Sequence, residues 1–301
     1  MKRKVLYEVL QDYIREKELA GLSKESIKDY RNLIFPFVAF CGDISVCELN
    51  DTMIDTYIST VLSRSLSRST QITYIRNVKI FLRWLSGKYQ VNFDYTRIHV
   101  PKSPKKNVRI YGDAEILKIF EYVKTGQEWL TLRNKAMLAL MLDSGLRRSE
   151  LCTIRRELVS FENKYIVVHG KGDKERVVPL GLFSMNLIRK YLEECPYKSK
   201  YLFVNCHGDM LTGNAVRIVI TKISKELEFG LSSHKLRHNF ATNYCVDHYK
   251  EYGSMDAYKL MTLMGHEDIE TTKRYLHHAT EIIASQEHLS HLDRIRSKKD
   301  E

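Results

Sequence analysis

Apolar positions in the first hundred residues recur at helical spacing. Leu6, Leu10, Tyr13 and Ile14 fall on one face of a helix predicted over 5–20. Ser23 stands before a second, over 24–41, that aligns Ile27, Tyr30, Leu33 and Ile34. A serine at that position can accept a hydrogen bond from an otherwise unpaired first-turn amide. A third helix is predicted over 50–62. A fourth, over 69–86, carries Ile72, Ile75, Val78, Phe81, Leu82 and Leu85 on one stripe. On another face it sets Arg76, Lys79 and Arg83 at i, i+3 and i+7.

Beyond residue 110 the pattern is mixed. Helices are predicted over 113–124, 129–143, 147–154, 183–194, 212–227, 233–248, 255–264, 268–275 and 277–293. Two β-branched runs, Tyr165–His169 and Arg176–Leu180, flank a Gly/Asp-rich turn, Gly170-Lys-Gly-Asp-Lys174, which predicts a hairpin. Between the two regions, residues 99–109 (HVPKSPKKNVR) show no period and contain Pro101 and Pro104. Proline lacks the amide donor and disfavours helix in the residue before it, so this segment reads as an extended linker. The expected fold is mainly α with a small β-hairpin or sheet. A helical domain occupies 1–98, a basic linker 99–109 and an α+β domain 110–301.

The longest apolar run, Ala136–Leu142, is far shorter than the ~18 residues of a membrane span, so no membrane partner is expected. The basic start, Met1-Lys2-Arg3-Lys4, is followed by a charged stretch, without the apolar core of a secretory signal. Six cysteines are scattered with no CxxC pair, which argues against a zinc module or a disulfide scaffold and fits the reducing cytoplasm.

Charge changes the picture. Lys and Arg number 48 against 37 Asp and Glu, a net +11, and this points towards a polyanion. The excess is localised. Residues 56–109 hold 11 basic side chains and one acid, Asp94, whereas residues 110–301 are close to balanced with 29 against 26. Three like charges on a helix face are ordinarily just solvated. Followed by an all-basic linker, they read as a phosphate-contacting face. Arg64, Arg68, Arg76, Lys79, Arg83, Lys102, Lys105 and Lys106 are the candidate DNA-binding residues.

No P-loop, GxGxxG, HExxH or GxSxG motif is present. His234 and His238 stand four apart, as a metal pair would, but no third ligand stands at matching spacing. What remains is a scattered polar set in four strings. They are Ser-Gly-Leu-Arg-Arg-Ser-Glu-Leu (144–151), Gly-Lys-Gly-Asp-Lys-Glu-Arg-Val-Val-Pro-Leu (170–180), His-Lys-Leu-Arg-His-Asn-Phe-Ala-Thr (234–242) and Leu-Met-Gly-His-Glu-Asp-Ile-Glu-Thr-Thr-Lys-Arg-Tyr (263–275). Singly, each string has an ordinary structural explanation. Together and in this order, they resemble the catalytic domain of the tyrosine recombinases, the phage-integrase superfamily. The helical domain and linker resemble that family's core-binding domain and connector. The architecture looks most like the compact Xer-type and integrative-element recombinases. Two departures stand out: a longer stretch between Thr242 and Leu263, and Arg148 where relatives often carry an apolar residue.

The resemblance implies a site-specific recombinase that cuts and rejoins double-stranded DNA through a 3′-phosphotyrosyl link, with no cofactor, metal or ATP. Its biological setting would be integration and excision, inversion or dimer resolution. By resemblance Tyr275 is the nucleophile, Lys171 the general acid, His234 assists proton handling and His266 hydrogen-bonds the phosphate. Arg147 and Arg237 bind non-bridging oxygens, and Glu150 orients an active-site arginine. The chemistry suits these side chains. Guanidinium groups stay charged and donate forked hydrogen bonds to phosphate, the part a divalent ion plays elsewhere. A tyrosine phenol, ordinarily titrating near ~10, needs such cations to act as a nucleophile. The resemblance also implies a tetramer on DNA, formed by one chain or with a related recombinase, and the segment from His277 to Arg294 could dock on a neighbour or on its own domain. Two alternatives share these features: a type IB topoisomerase, disfavoured by the compact size and the His-Lys-Leu-Arg string, and a non-catalytic DNA-binding regulator, disfavoured by the intact polar set.

Overall fold

A computed structural model describes residues 4–102, 109–170 and 174–286. The chain divides into two compact units, Met1–Lys106 and Asn107–Glu301.

Among the described residues, the first unit holds four α-helices, α1 (Leu6–Leu19), α2 (Lys24–Cys41), α3 (Asp51–Ser63) and α4 (Arg68–Lys88). Three begin at side chains that cap a first-turn amide: Ser23 accepts from the Ser26 amide, Asn50 from Met53 and Ser67 from Thr70, at 3.1–3.2 Å. The apolar stripes meet in one core, in which Tyr13, Phe37, Tyr57 and Phe81 are fully buried. The Tyr13 ring sits edge-on to Phe81 and Trp84 at 5.3 and 5.0 Å, the arrangement aromatic quadrupoles favour. The Trp84 indole donates to Glu16 at 2.7 Å.

The second unit contains α5 (Asp113–Glu121), α6 (Glu128–Ser144), α7 (Arg148–Thr153), a sheet of β1 (Val159–Ser160), β2 (Tyr165–His169) and β3 (Glu175–Pro179), then α8 (Leu182–Glu194), α9 (Gly213–Glu226), α10 (Ser233–Tyr252), α11 (Ala257–Met264) and α12 (Ile269–Gln286). The sheet is antiparallel in the order β1-β2-β3, and Val168 faces Arg176 across the hairpin. The mainly helical fold with one small sheet is as the sequence pattern implies; the two-residue β1 has too short a pattern to be read from sequence.

Two helices run buried through this unit. Every residue from Ala136 to Met141 of α6 is buried, which explains the apolar run in the sequence: a helix surrounded by core has no polar face. In α10 the buried run from Leu236 to Thr242 includes Arg237, His238 and Asn239. Buried polar groups are costly unless partnered, so this stretch of core is built around hydrogen bonds. Asn239, for example, accepts from the Tyr111 amide at 2.7 Å.

One expectation is corrected. The separate helices expected over 268–275 and 277–293 form a single helix, α12, running through Leu276. Thr272, Tyr275, Ala279 and Ile283 are buried at helical spacing, and α12 packs on α10. One buried face and no Gly or Pro near Leu276 leave the hydrogen-bond ladder no reason to break. Residues 287–293 of the expected tail lie outside the described residues.

Candidate active site

Two glycines shape the site. Gly145 ends α6 and Gly265 ends α11, both left-handed with φ of 59° and 61°. A Cβ on Gly145 would fall 2.3 Å from the Phe240 ring, and one on Gly265 would crowd the guanidinium groups of Arg176 and Arg147 at 3.0–3.3 Å. Both turns therefore need glycine for conformation and for space.

Arg147 follows the first turn at the start of α7. Its guanidinium donates to Glu150 Oε1 at 2.9 Å and to the Gly265 carbonyl at 2.7 Å, while its amide donates to Glu150 Oε2 at 2.8 Å. Glu150 is buried and also accepts both terminal nitrogens of Arg176, at 2.9 and 2.7 Å. Burial by itself would raise the Glu150 carboxyl, but the Arg176 hydrogen bonds and charge, with those of Arg147, win and hold it down at about 2.

Arg237, on the buried run of α10, donates to the carbonyls of Gly145 and Met264, each at 2.5 Å. It also donates to His266 Nε2 at 3.3 Å. Burial, and next the Arg147 charge, pull its pKa to about 10, so it remains a cation at neutral pH. With Nε2 accepting, the neutral His266 ring carries its proton on Nδ1 and donates to Thr272 Oγ1 at 2.8 Å. Burial, then Arg237 and Arg147, lower the His266 pKa to about 4 and keep it neutral.

Tyr275, on α12, is 1% exposed. Its ring stacks parallel to His266 with centroids 6.0 Å apart, and His238 packs on it at 5.0 Å. The Arg274 guanidinium lies 5.0 Å from the ring centroid and donates to the phenol oxygen at 3.3 Å. His234 is exposed, with Nε2 2.8 Å from His238 Nε2. Arg147, Arg148, His234, Arg237, His266, Arg274 and Tyr275 line one cleft of about 310 Å³. Four of these are arginines, so the cleft suits an anion whose oxygens can accept several forked donors.

A sequence model of the phage integrase family matches residues 111–281, and one for the N-terminal SAM-like domain of phage integrases matches residues 9–90. The chain belongs to the phage integrase family, the tyrosine recombinases. It is 30% identical over 273 residues to tyrosine recombinase XerD of Listeria innocua serovar 6a, covering 85% of this chain and 89% of the relative. To tyrosine recombinase XerA of Pyrococcus horikoshii it is 31% identical over 208 residues, 67% of this chain and 69% of that one. Its fold is similar to the XerH site-specific recombinase bound to a palindromic difH substrate, with a TM-score of 0.71, 23% identity and coverage of 92% of this chain and 82% of that one. It is likewise similar to a lambda integrase dimer bound to a core site, with a TM-score of 0.72, 16% identity and coverage of 90% and 95%. The chain is accordingly a site-specific recombinase.

Of the six residues the sequence singles out for the recombinase's chemistry, Arg147, His234, Arg237, His266 and Tyr275 share the cleft. Lys171 lies outside the described residues. Glu150 accepts hydrogen bonds from two arginines, Arg147 and Arg176. Sequence reasoning missed Arg176, although it sits in the 170–180 string, because a strand residue in a hairpin reads as solvent-facing until its partner is known. It also missed Arg274, Thr272 and the packing of His238 on the Tyr275 ring.

On the first unit of the recombinase, Arg64, Arg68, Arg76 and Arg83 are exposed, as is Lys102. Arg68 also donates to Gln71 at 3.4 Å. Lys79 differs from its neighbours: its ammonium donates to the Ile98 carbonyl at 2.7 Å in a half-buried position. Lys105 and Lys106 lie outside the described residues. Among the described residues no helix is long and apolar enough to cross a membrane.

Proposed function

We propose that this recombinase cuts and rejoins double-stranded DNA with Tyr275 as nucleophile. The phenol oxygen attacks phosphorus, the 5′ oxygen leaves, and a 3′-phosphotyrosyl bond stores the energy for rejoining. Arg147 and Arg237 hold the non-bridging oxygens as negative charge grows, which is where preorganised donors lower a barrier most. Neutral His266 donates its Nδ1–H to the phosphate once that nitrogen is released from Thr272. Lys171 protonates the leaving oxygen and His234 handles the proton at the nucleophile's side. Glu150 acts on Arg147 and Arg176, fixing their guanidinium planes.

One observation carries this reading. Arg147, Arg237, His266 and Tyr275 come from three separate strings of the sequence and converge on one cleft, with both arginines anchored by backbone carbonyls rather than left to swing. Residues 1–98 serve as a helical DNA-binding domain, 99–109 as a basic connector and 110–301 as the catalytic domain. Arg64, Arg68, Arg76, Arg83, Lys102, Lys105 and Lys106 contact phosphates, with Lys79 a weaker contributor. Full recombination breaks four strands, which requires several subunits on two sites: a tetramer of this chain or of this chain with a related recombinase. The six unpaired thiols fit action in the cytoplasm.

The test is direct. A DNA site obtained by binding selection with the purified protein, nicked beside the cleavage position, should trap a covalent protein–DNA adduct. Tyr275→Phe should abolish the adduct and leave DNA binding intact. Adduct that persists in Tyr275→Phe would overturn the assignment.

A further inference from the structure

Behind His234, which lines the cleft, lies a further histidine, His238. His234 and His238 lie one turn apart on the same face of α10. Their Nε2 atoms are 2.8 Å apart, and the rings meet edge-on at 87° with centroids 4.2 Å apart. His234 is exposed at the cleft, whereas His238 is 2% exposed and packs on the Tyr275 ring.

Two imidazole nitrogens at this distance must be one donor and one acceptor; two lone pairs or two protons facing each other would repel. The state of His238 therefore dictates the tautomer of His234. We infer that His238 is a positioning residue that accepts the His234 Nε2–H, so that His234 Nδ1 is the nitrogen left to take and return a proton in the cleft. One physical argument selects this direction. A His234 that has taken a proton donates from both nitrogens, and only an accepting His238 serves its neutral and its charged form without rearrangement. The surroundings agree: burial first, with the charges on His234, Arg274, Arg237 and His278, hold the His238 pKa at about 3, so it remains a neutral acceptor. Burial also lowers His234, with Arg274 and Arg237 adding to the effect, which keeps that ring neutral and ready to accept.

This inference rests on the Tyr275 reading above. It is tested by the single-turnover rate of adduct formation on the nicked site at saturating protein, alongside the Kd for the same DNA. His238→Leu should slow the rate about tenfold, the scale of one lost hydrogen bond to a charged group, with Kd unchanged. His238→Gln should recover most of it, because its amide oxygen reaches the Nε2 position. His238→Asn, whose amide ends near the Nδ1 position, should not. In a His234→Ala background, His238→Leu should slow the rate by less than about twofold, since the residue acts through His234. A full tenfold loss in that background would overturn the inference and make His238 a packing support for Tyr275. Equal rates for Gln and Asn would overturn it too, and that pair decides if the leucine variant melts early. A wild-type protein that forms no Tyr275 adduct fails the nucleophile reading and this inference with it. An adduct insensitive to His238 fails the inference alone.

Discussion

Arg176 and Glu150 are joined by a two-pronged ion pair, Nη1 to Oε1 at 2.9 Å and Nη2 to Oε2 at 2.7 Å, with both side chains out of solvent. The third nitrogen of Arg176 donates to the Leu263 carbonyl at 2.8 Å, so the pair ties the hairpin to α7 and α11. Arg147 uses the same carboxylate. One buried anion therefore holds two cations in register, and the site's geometry hangs on it.

Removing that anion leaves Arg176 buried without a counter-charge. Glu150→Gln is expected to destabilise the protein by about 3–5 kcal/mol at neutral pH, measured by denaturant unfolding. The effect has a pH signature. A carboxyl whose folded pKa of about 2 lies below its unfolded value near 4.5 contributes stability above pH 4.5, and that stability is lost as pH falls through 2. Wild type should lose more stability than Glu150→Gln over that window. Parallel curves would show that the pair contributes no charge-dependent stability.

His266 works in the opposite chemical sense and the same pH direction. Its folded pKa of about 4 lies below the ordinary 6.5, because burial and then Arg237 and Arg147 disfavour the imidazolium. The unfolded chain binds the proton first as pH falls, so stability is complete above 6.5 and declines between 6.5 and 4. Thermal melts across that interval should show a shallower decline in His266→Gln than in wild type. His238 titrates in the same sense, so the slope is reduced rather than abolished.

On α4, Arg76 and Arg83 project into solvent while Lys79 is held by Ile98. Arg76→Ala and Arg83→Ala should each lower the slope of log Kd against log salt by about one counterion. Lys79→Ala should change that slope less and lower the melting temperature instead, because it strips the Ile98 carbonyl of its donor. Equal slope changes at all three positions would return Lys79 to the DNA-contacting face. Binding titrations over a salt series decide it.

Most helices, the Ser23 cap and the hairpin were legible because each depends on neighbours within a few residues. Ser23 caps the helix that follows it, and the apolar Ala136–Met141 run lies in a buried helix. The four strings were legible as a set, since together they resemble one family. Lys79 shows the limit: its spacing with Arg76 and Arg83 is a property of the helix, but its engagement by Ile98, 19 residues away, is a property of the folded unit. The break expected after Tyr275 failed for the same reason, because burial against α10 carries α12 onwards.

By itself, the sequence determined most of the elements and the localised positive charge, which follow from local spacing and side-chain type, while the residues suited to phosphate chemistry were picked out by the resemblance of four strings to one family. The tertiary structure alone decided who touches whom. It aims Arg147 and Arg237 through the carbonyls of two glycine turns, 120 residues apart in sequence (Gly145 and Gly265). It joins Glu150 to Arg176 and turns His238 from a possible ligand into the partner of His234. These contacts depend on distances between segments remote in the chain, which only the packing of the core sets.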